Sequence, residues 1–360
     1  MIVRLATAAD DVEITNLMES VPMLGAIRLA SACRPSFFQA LRVEGSDPIV
    51  CVAEQHGEIV GVGAATFRNV HYNGRVATLR YLSAMRVADR ARGSSAMARG
   101  FARLREELLT RPADITLTSI LNDNHGALRV LTKKRATLPP YERLCNCITR
   151  VLPASRWKSP GASTVETGAD ACEIVEFFET HAASRNLFPV CQAADLDGTT
   201  GSSFPNLSSG DFLVARERGS IVGVMGCWNV MPLRQSLVTG YAFGLRLARP
   251  WLNLGACLTG QPRLPTPGTP LQLAFGSLIL VRNDDPGVFR SLVHAALEWT
   301  RRQGLDYFVI AMPDHDPLNA GFDGVHHRKI HSRIFRVHFE NPGLRSEPGG
   351  RKLHLEGAML

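Results

Sequence analysis

One junction of the sequence, residues 85–97, carries the residue types best suited to chemistry. An apolar strand breaks there into "MRVADRARGSSAM", with Arg86, Arg90 and Arg92 followed by Gly93 and two serines, and resumes as a helix. A strand that enters a helix through small residues leaves backbone N–H groups unpaired at the positive end of the helix dipole. Anions bind at such ends, and glycine lets the main chain approach them closely. The junction therefore predicts a phosphate-binding loop.

The elements that must position this loop follow from hydrophobic periodicity and turn residues. The first half predicts a strand, helices, a hairpin, a strand, a helix, a strand, a helix and a strand. These elements fall at 3–5, 11–42, 50–68, 78–87, 95–109, 115–121, 126–133 and 143–150. Mixed strands covered by helices indicate an α/β sandwich.

The sequence repeats itself, which indicates two domains. "VAEQHGEIVGVGA" at 52–64 returns as "VARERGSIVGVMG" at 214–226, and both read as β-hairpins. Each half also opens with T-x-x-D, from Thr7 and from Thr167, where the threonine is expected to cap a helix. The Pro- and Ser-containing stretch 151–163 is the predicted junction. We therefore expect an N-terminal domain at 1–152 and a C-terminal domain at 163–342.

Taken together, these features resemble the GNAT N-acetyltransferase superfamily, arranged in tandem; "NDNHGALRVL" after the next strand adds to the likeness. The resemblance implies two GNAT-like acyl-CoA N-acyltransferase domains, each a mixed central sheet covered by helices. It also implies that the strand before the junction splays from its neighbour and holds the pantetheine arm of acetyl-CoA, while the loop wraps the pyrophosphate. The residues it assigns to the co-substrate are Met85, Arg86, Val87, Arg92, Gly93, Ser94, Ser95, Ala96, Met97, Asn124 and Ala127.

The loop fits the family pattern Q/R-x-x-G-x-G/A in two registers. "RGSSAM", from Arg92, keeps the common R-G step but alters both later small positions, whereas "RARGSS", from Arg90, keeps the glycine and shortens the loop. We prefer the Arg92 register. Residues 93–95 lie against the phosphate in either one, and a strand-to-helix turn that binds nothing is the structural alternative.

The general acid and base are less evident. The family pattern N-x-x-A-x-x-x-Y matches Asn124 and Ala127, but Leu131 stands where the tyrosine would protonate the departing thiolate. Tyr141 is the nearest replacement, or else a half-buried aromatic at the start of a strand. Glu54 and His125 are conceivable bases, or else solvated turn residues.

The resemblance implies direct transfer, in which a neutral amine attacks the thioester carbonyl. Backbone N–H groups around Arg86 and Val87 would stabilise the oxyanion. No covalent enzyme intermediate is required, and no spacing in the sequence compels a Ser-His-Asp or Cys-His arrangement.

The second half differs at the equivalent junction, "VRNDDPGVFRSL". Asp284 and Asp285 are expected to cap the helix that begins at Pro286 and to fill the anion site with the protein's own charge. We therefore expect this half to be structural or substrate-shaping. An insertion near 237–270 forms either a lid or wall of the cleft, or a surface loop.

Composition narrows the class of protein. The chain has 360 residues, 45% of them apolar, with no signal-peptide core and no apolar stretch long enough to span a membrane. We expect a cytoplasmic protein without a membrane partner. A net charge of +7 suggests acidic partners, but the charge is dispersed and no nucleic-acid motif appears. The eight cysteines are scattered and are interpreted as buried thiols. The segment "HHRKIH" at 326–331 is interpreted as an exposed turn, so no metal is expected.

These observations predict a GNAT-type N-acetyltransferase that transfers an acetyl (acyl) group from acetyl-CoA to a primary amine. Two alternatives stay open. One is an acyl-CoA-binding or sensing protein without turnover, because residues 95, 97 and 131 depart from the family pattern. The other is an aminoacyl-tRNA-dependent transferase on the same fold, which would bind RNA in a salt-sensitive way. The sequence does not identify the amine substrate.

Overall fold

A computed structural model describes residues 1–23, 25–133, 137–154, 164–339 and 349–360. The first half contains β1 (Ile2–Leu5), α1 (Asp11–Ser20), β2 (Ile27–Ala32), α2 (Phe37–Leu41), β3 (Ser46–Gln55), β4 (Glu58–Tyr72), β5 (Arg75–Val87), α3 (Ala96–Leu109), β6 (Ile115–Leu121), α4 (His125–Leu131) and β7 (Tyr141–Pro153). The second half contains β8 (Thr164–Thr167), α5 (Ala171–His181), β9 (Arg185–Asn186), β10 (Phe188–Pro189), β11 (Phe212–Glu217), β12 (Ser220–Trp228), β13 (Gln235–Tyr241), α6 (Phe243–Thr259), β14 (Leu273–Val281), α7 (Pro286–Arg302), β15 (Tyr307–Pro313), β16 (Arg328–Val337) and β17 (Lys352–Leu353).

Most of the strands form one mixed sheet that runs through both halves. Its order is β1-β3-β4-β5-β6-β16-β7-β15-β14-β12-β11-β8, and β10 adds to β4 beside this path. The β5–β6 and β14–β15 pairs are parallel. Followed inward from its two ends, the order passes equivalent strands of the two halves, which confirms the predicted repeat.

The last strands of the two halves are exchanged at the centre of this sheet. β16, from the second half, pairs with β6 over residues 332–336, and β7, from the first half, pairs with β15 over residues 307–313. Each half is therefore completed by a strand of the other. The division into 1–152 and 163–342 stays a prediction, and most of its junction, 155–163, lies outside the described residues.

Helices cover both faces of the sheet, as expected for an α/β sandwich. α3 places Phe101, Leu104 and Leu108, at helical spacing, against one face of the first half. α1 and α2 pack against the opposite face. Val50 and Val52 of β3 belong to the apolar cluster with α1 and α2, whereas Ile49 and Cys51 belong to the cluster with α3, as expected for a strand whose side chains alternate between the two faces. α7 and α5 cover the two faces of the second half in the same way.

The repeated hairpins fold as predicted, with matching turns. His56 and Gly57 connect β3 to β4, and Arg218 and Gly219 connect β11 to β12. All four residues have positive φ, between 50° and 83°. This is the two-residue turn whose twist suits a hairpin, and it explains why glycine recurs at its second position.

The stretch 11–42 departs from the prediction of helices alone. It contains a strand, β2, which pairs antiparallel with β13 of the predicted insertion. The reason is tertiary, because β2 finds its partner about two hundred residues away in the sequence. The turn predicted at 326–331 is also shorter, since β16 begins at Arg328.

The T-x-x-D sequences begin helices in two different ways. Thr7 begins a helical segment as predicted: it forms a capping box with Asp10 at the 3₁₀ turn Ala8–Asp10 that leads into α1, and the Thr7 N–H donates to Asp10 Oδ2 at 2.7 Å. In the second half the expectation for Thr167 is wrong. Thr167 ends β8, and the Asp170 carboxylate caps α5 by accepting from the Cys172 N–H at 2.8 Å.

Asp10→Asn should lower the free energy of unfolding by about 2 kcal/mol at neutral pH, more than the ~1 kcal/mol expected for Thr7→Ala. The Asp10 carboxylate is buried and accepts two 2.8 Å bonds from Arg4, which hold its pKa well below the ordinary value. Its stabilisation is therefore complete above about pH 3.9 and is lost as the pH falls further. Urea unfolding of the Asp10→Asn variant and of the unaltered chain across this pH range measures the stabilisation. A difference in unfolding free energy at pH 2 as large as that at neutral pH would contradict the assignment.

The cysteines are less uniformly buried than predicted. Six are buried, but Cys172 and Cys257 are exposed on helices α5 and α6. Burial raises the pKa of Cys33 and Cys51 to about 11. Because the thiolate is the reactive form, a thiol reagent should label two cysteines rapidly in the native protein and eight after unfolding. Rapid native labelling of Cys145 or Cys147 in β7 would contradict this prediction.

Candidate functional site

The two parallel strands of the first half separate part-way along their length. β5 and β6 pair only from Leu79–Ile115 to Tyr81–Leu117. Beyond this point the Thr118 hydroxyl donates to the Leu82 carbonyl at 2.9 Å, and β6 follows β16 instead. The splay implied by the resemblance is therefore present, and it leaves the edge of β5 at residues 83–87 without a strand partner on the β6 side among the described residues.

The loop at the end of β5 presents backbone N–H groups beside this splay. It passes through a 3₁₀ turn at Asp89–Ala91 and enters α3 at Ala96. The Ser94 N–H and hydroxyl both bond to the Ala91 carbonyl, and the Ser94 hydroxyl accepts the Ala96 N–H at 3.2 Å. Within the described part of the chain, the N–H groups left without partners at this end of α3 belong to Gly93, Ser95, Met97 and Ala98.

Gly93 is the residue that gives the loop its shape. Its φ is +80°, a value that residues with a side chain rarely adopt, and a Cβ at this position would meet no atom of the described residues within 4 Å. Backbone conformation, and not lack of space within the protein, therefore requires glycine here. A ligand lying against the loop could approach the main chain closely at this position.

The arginines of the junction are held in different ways. Arg92 pairs with Asp89 at 2.9 Å and Arg90 with Glu58 at 2.5 Å, in both cases with exposed side chains. Such surface pairs are weak and break readily in favour of a phosphate, so both registers of the loop stay open. Arg86 is half-buried, donates to the Met85 carbonyl at 3.0 Å, and has a pKa lowered by burial.

One apolar cluster gathers several residues predicted for the site. Met85, Met97, Ala127 and Tyr141 all pack against the cluster that contains the buried face of α3. Asn124 instead caps α4, since its side chain accepts the Ala127 N–H at 3.1 Å. The structure thus brings the end of β5, the start of α3 and the start of α4 to one side of the splay.

Tyr141 has an unusual hydroxyl group. Its ring contacts Phe335 edge-to-face, with centroids 6.0 Å apart, and burial raises the pKa of the phenol. The hydroxyl oxygen is buried, and no described residue bonds to it. A buried hydroxyl without a partner among the described residues is costly, which makes Tyr141 a candidate for contact with a ligand.

A second cluster of polar residues lies on the other side of the splay, and the sequence did not indicate it. Glu44 is buried, accepts a short hydrogen bond from the Ser83 hydroxyl, and accepts from Arg234 Nη1 at 2.9 Å. Burial raises the pKa of Glu44. The two bases considered from the sequence lie elsewhere: Glu54 pairs with Arg4, and His125 is exposed.

The second half has the same splay, but the chain fills it. β14 and β15 pair only from Leu273–Tyr307 to Phe275–Val309. The Leu278 N–H of β14 donates to the Glu356 carboxylate at 2.8 Å. A Cβ on Gly357 would lie 3.3 Å from Ala311 of β15 and 3.7 Å from Phe275 of β14. Residues 356–357 are therefore wedged between the two strands.

Of the two aspartates predicted to cap the helix that begins at Pro286, one does so. Asp285 caps α7, accepting from the Gly287 N–H at 2.7 Å. Asp284 does not cap it, and instead forms short contacts with the buried Arg185 and with Lys352. Since Lys352 precedes the wedged residues, Asp284 helps to hold that segment in the splay.

The two halves share one further backbone feature. Ala84 in β5 and Leu278 in β14 have φ values of +54° and +50° and lie three residues before the ends of their strands. Each stands at an irregularity in the pairing with the preceding strand. The Leu278 N–H therefore marks, in the second half, the position that Ala84 occupies in the first.

The predicted insertion near 237–270 contains most of β13 and all of α6. β13 pairs with β2, and α6 packs on β13 and on the segment at Leu264. Within the described ranges, no three His, Cys, Asp or Glu side chains form a group that could hold a metal. None of the described helices has the length and apolarity to cross a bilayer.

Comparisons with known proteins show the fold. Neither a family model nor a curated protein matches the sequence. Among solved structures, Saccharomyces cerevisiae N-myristoyltransferase with bound myristoyl-CoA is 10% identical with a TM-score of 0.58, over 96% of this chain and 84% of that one. A GCN5-related N-acetyltransferase from Sphaerobacter thermophilus is 16% identical with a TM-score of 0.53, over 94% and 96%.

A third similar structure is the GCN5-related glucosamine N-acetyltransferase region of a fungal multi-domain GH3 β-N-acetylglucosaminidase. It is 12% identical with a TM-score of 0.63, over 94% of this chain and 38% of that one. The likeness extends through both halves, in agreement with the repeated strand order and the paired splays. The chain therefore has a tandem GNAT-like fold, with an open splay in its first half and a filled one in its second.

Proposed function

We propose that this protein transfers an acyl group, with acetyl as the predicted one, from acyl-CoA to a primary amine in its first half. The observation that carries the proposal is the contrast between the two splays. In the first half, among the described residues, the edge of β5 that faces β6 is unpaired at residues 83–87 and ends at a loop with free N–H groups. In the second half residues 356–357 occupy the equivalent space. One acyl-CoA site per chain follows.

The residues beside the first splay suit an acyl-CoA. The free N–H groups of Gly93, Ser95, Met97 and Ala98 would bind the pyrophosphate at the positive end of α3, and Arg92 or Arg90 would add charge. The unpaired backbone of residues 85–87 would hydrogen-bond the amides of the pantetheine arm, as a neighbouring strand otherwise would. The apolar cluster below the loop would exclude water from the thioester.

The internal repeat suggests which N–H stabilises the oxyanion. In the second half the Leu278 N–H bonds to a carboxylate oxygen of Glu356. The equivalent N–H in the first half belongs to Ala84, and we assign to it the thioester carbonyl oxygen. A donor fixed in the backbone before reaction stabilises the developing negative charge at no cost of reorganisation. Ala84 lies two residues before Arg86 and three before Val87, around which the family resemblance implied the oxyanion donors.

Glu44 is the group that we assign to proton removal. The amine must be neutral to attack, and a carboxylate whose pKa is raised by burial is a better base near neutral pH. Ser83, which bonds to Glu44, directly precedes Ala84. The amine proton would pass to the Ser83 hydroxyl as that hydroxyl gives its own proton to Glu44. The nitrogen–carbon bond forms, the carbon–sulfur bond breaks, and the thiolate departs.

Tyr141→Phe tests the assignment of Tyr141 to the departing thiolate. We expect kcat to fall by about tenfold, because a thiol with a pKa near 8.5 is already a fair leaving group. The free energy of unfolding should stay constant or rise, because the variant removes a buried hydroxyl without a partner. Steady-state rates and urea unfolding measure the two quantities. Unchanged kcat would assign Tyr141 to packing alone.

Calorimetry with acetyl-CoA, followed by an assay of thiol release across a panel of primary amines, tests the function. We expect one molecule to bind per chain and thiol to appear with at least one amine class. Two bound molecules would contradict the filled second splay. Binding without turnover on any amine would favour the acyl-CoA-binding alternative, and RNA binding without CoA binding would favour the tRNA-dependent one.

A further inference from the structure

Helix α6 exposes an apolar face directly opposite the face by which it is attached. Large apolar side chains recur at spacings of four, four, three and four residues, which places them in one stripe. They are between 56% and 81% exposed. The stripe consists of Phe243, Leu247, Trp251, Leu254 and Leu258.

The attached face is the polar one. Arg249 and Asn253 both donate to the Leu264 carbonyl, at 3.1 and 3.0 Å, and the Arg249 guanidinium lies over the Tyr241 ring. This is the reverse of an ordinary surface helix, which buries its apolar face. A contiguous apolar patch of this kind on a protein surface marks an interaction site.

The charge around the stripe indicates what covers it. Residues 235–272, which form β13, α6 and the segment after it, contain no aspartate or glutamate and three arginines, Arg246, Arg249 and Arg263. Arg246 is exposed on the helix, and Arg263, also exposed, contacts the Cys257 thiol at 3.0 Å. Arg28, opposite β13 on the neighbouring strand, is exposed as well. The charged residues of α6, of the segment after it at 260–272, and of β2 beside β13 are therefore all arginines.

We propose that α6 docks the protein on an anionic lipid bilayer, lying in the plane of the interface. A helix with tryptophan, phenylalanine and leucine on one face and arginines beside it matches the physical requirements of such binding. The ring of Trp251 would lie at headgroup level, and the arginines would contact acidic headgroups.

The expectation of no membrane partner considered only spanning segments, and α6, at 17 residues, lies on the bilayer instead of crossing it. A second copy of the chain fits the surface less well, because a self-complementary contact would bring the same arginines together.

The test uses the full chain and sedimentation with two kinds of vesicle. One kind is phosphatidylcholine alone, and the other is phosphatidylcholine with one-third phosphatidylserine. We expect sedimentation with the anionic vesicles, weakening with added salt, and a blue shift of tryptophan emission that a variant without Trp251 does not show. The double variant Trp251→Gln with Leu258→Gln should bind at least tenfold more weakly, because it removes two of the most exposed members of the stripe.

Leu109→Gln is the matched control, because Leu109 is an exposed leucine at the end of a different helix, α3. It should bind vesicles like the unaltered chain. Absence of binding to both vesicles, or equal binding to both with no effect of salt, would overturn the proposal. Self-association that the double variant abolishes, without vesicle binding, would assign the face to a second copy.

Discussion

Glu44→Gln is expected to lower kcat by about 10²- to 10⁴-fold, the range for loss of a general base, with little change in acyl-CoA affinity. The carboxylate is buried beside the Ser83 hydroxyl, next to the proposed oxyanion donor, and on the opposite side of the splay from the phosphate loop. Glutamine keeps the size of the side chain but cannot accept the amine proton. Steady-state kinetics and calorimetry with acetyl-CoA measure the two quantities.

Glu54→Gln is the matched control, because Glu54 is a glutamate of the same half that pairs with Arg4 and was a base candidate from the sequence. It should leave kcat near its original value. Since Glu44→Gln also removes a partner of Arg234, thermal unfolding must accompany the assay. A folded Glu44→Gln variant that keeps both its rate and the acid limb of its pH profile would contradict the role of Glu44.

Gly93→Val is expected to weaken acetyl-CoA binding by about 30-fold, which corresponds to about 2 kcal/mol. The substitution places a branched side chain beside the free N–H groups at the start of α3, where the pyrophosphate must approach the main chain. Calorimetry measures the dissociation constant directly.

Gly219→Val separates this effect from backbone strain. Gly219 has a φ of +83°, close to the +80° of Gly93, and in the part of the chain that the structure describes no atom lies within 4 Å of a Cβ at this position. The two variants should therefore lose similar stability, but Gly219 lies in the β11–β12 turn, away from the loop. Equal losses of acetyl-CoA affinity in the two variants would contradict the assignment of the phosphate loop.

Local patterns in the sequence were sufficient for the parts of the site that depend on neighbouring residues. The hairpin turns at Gly57 and Gly219, the strand bounds of β6 and the strand-to-helix loop at Gly93 are set by residues within a few positions of each other. Asp285 could likewise be predicted as a cap, because a cap acts on the next three residues.

The remaining features depend on contacts that no local pattern encodes. Glu44 meets Ser83, 39 positions away, and Arg234, 190 positions away. Asp284 was expected to cap α7, but it pairs with Arg185 and Lys352, from two distant segments. The exchange of β7 and β16 cannot be predicted from the sequence either. The alternation of apolar and polar residues in each strand suits any neighbouring strand equally well.

The exchanged strand sets the order in which the site can be completed during synthesis. β6 is held apart from β5 by β16, which the ribosome makes about two hundred residues after Leu121. At a synthesis rate of 5–20 residues per second, one edge of β6 stays uncovered for roughly 10–40 s before β16 has been made. An uncovered strand edge invites pairing with other chains. Shelter of that edge during translation should therefore affect how much folded protein a cell obtains.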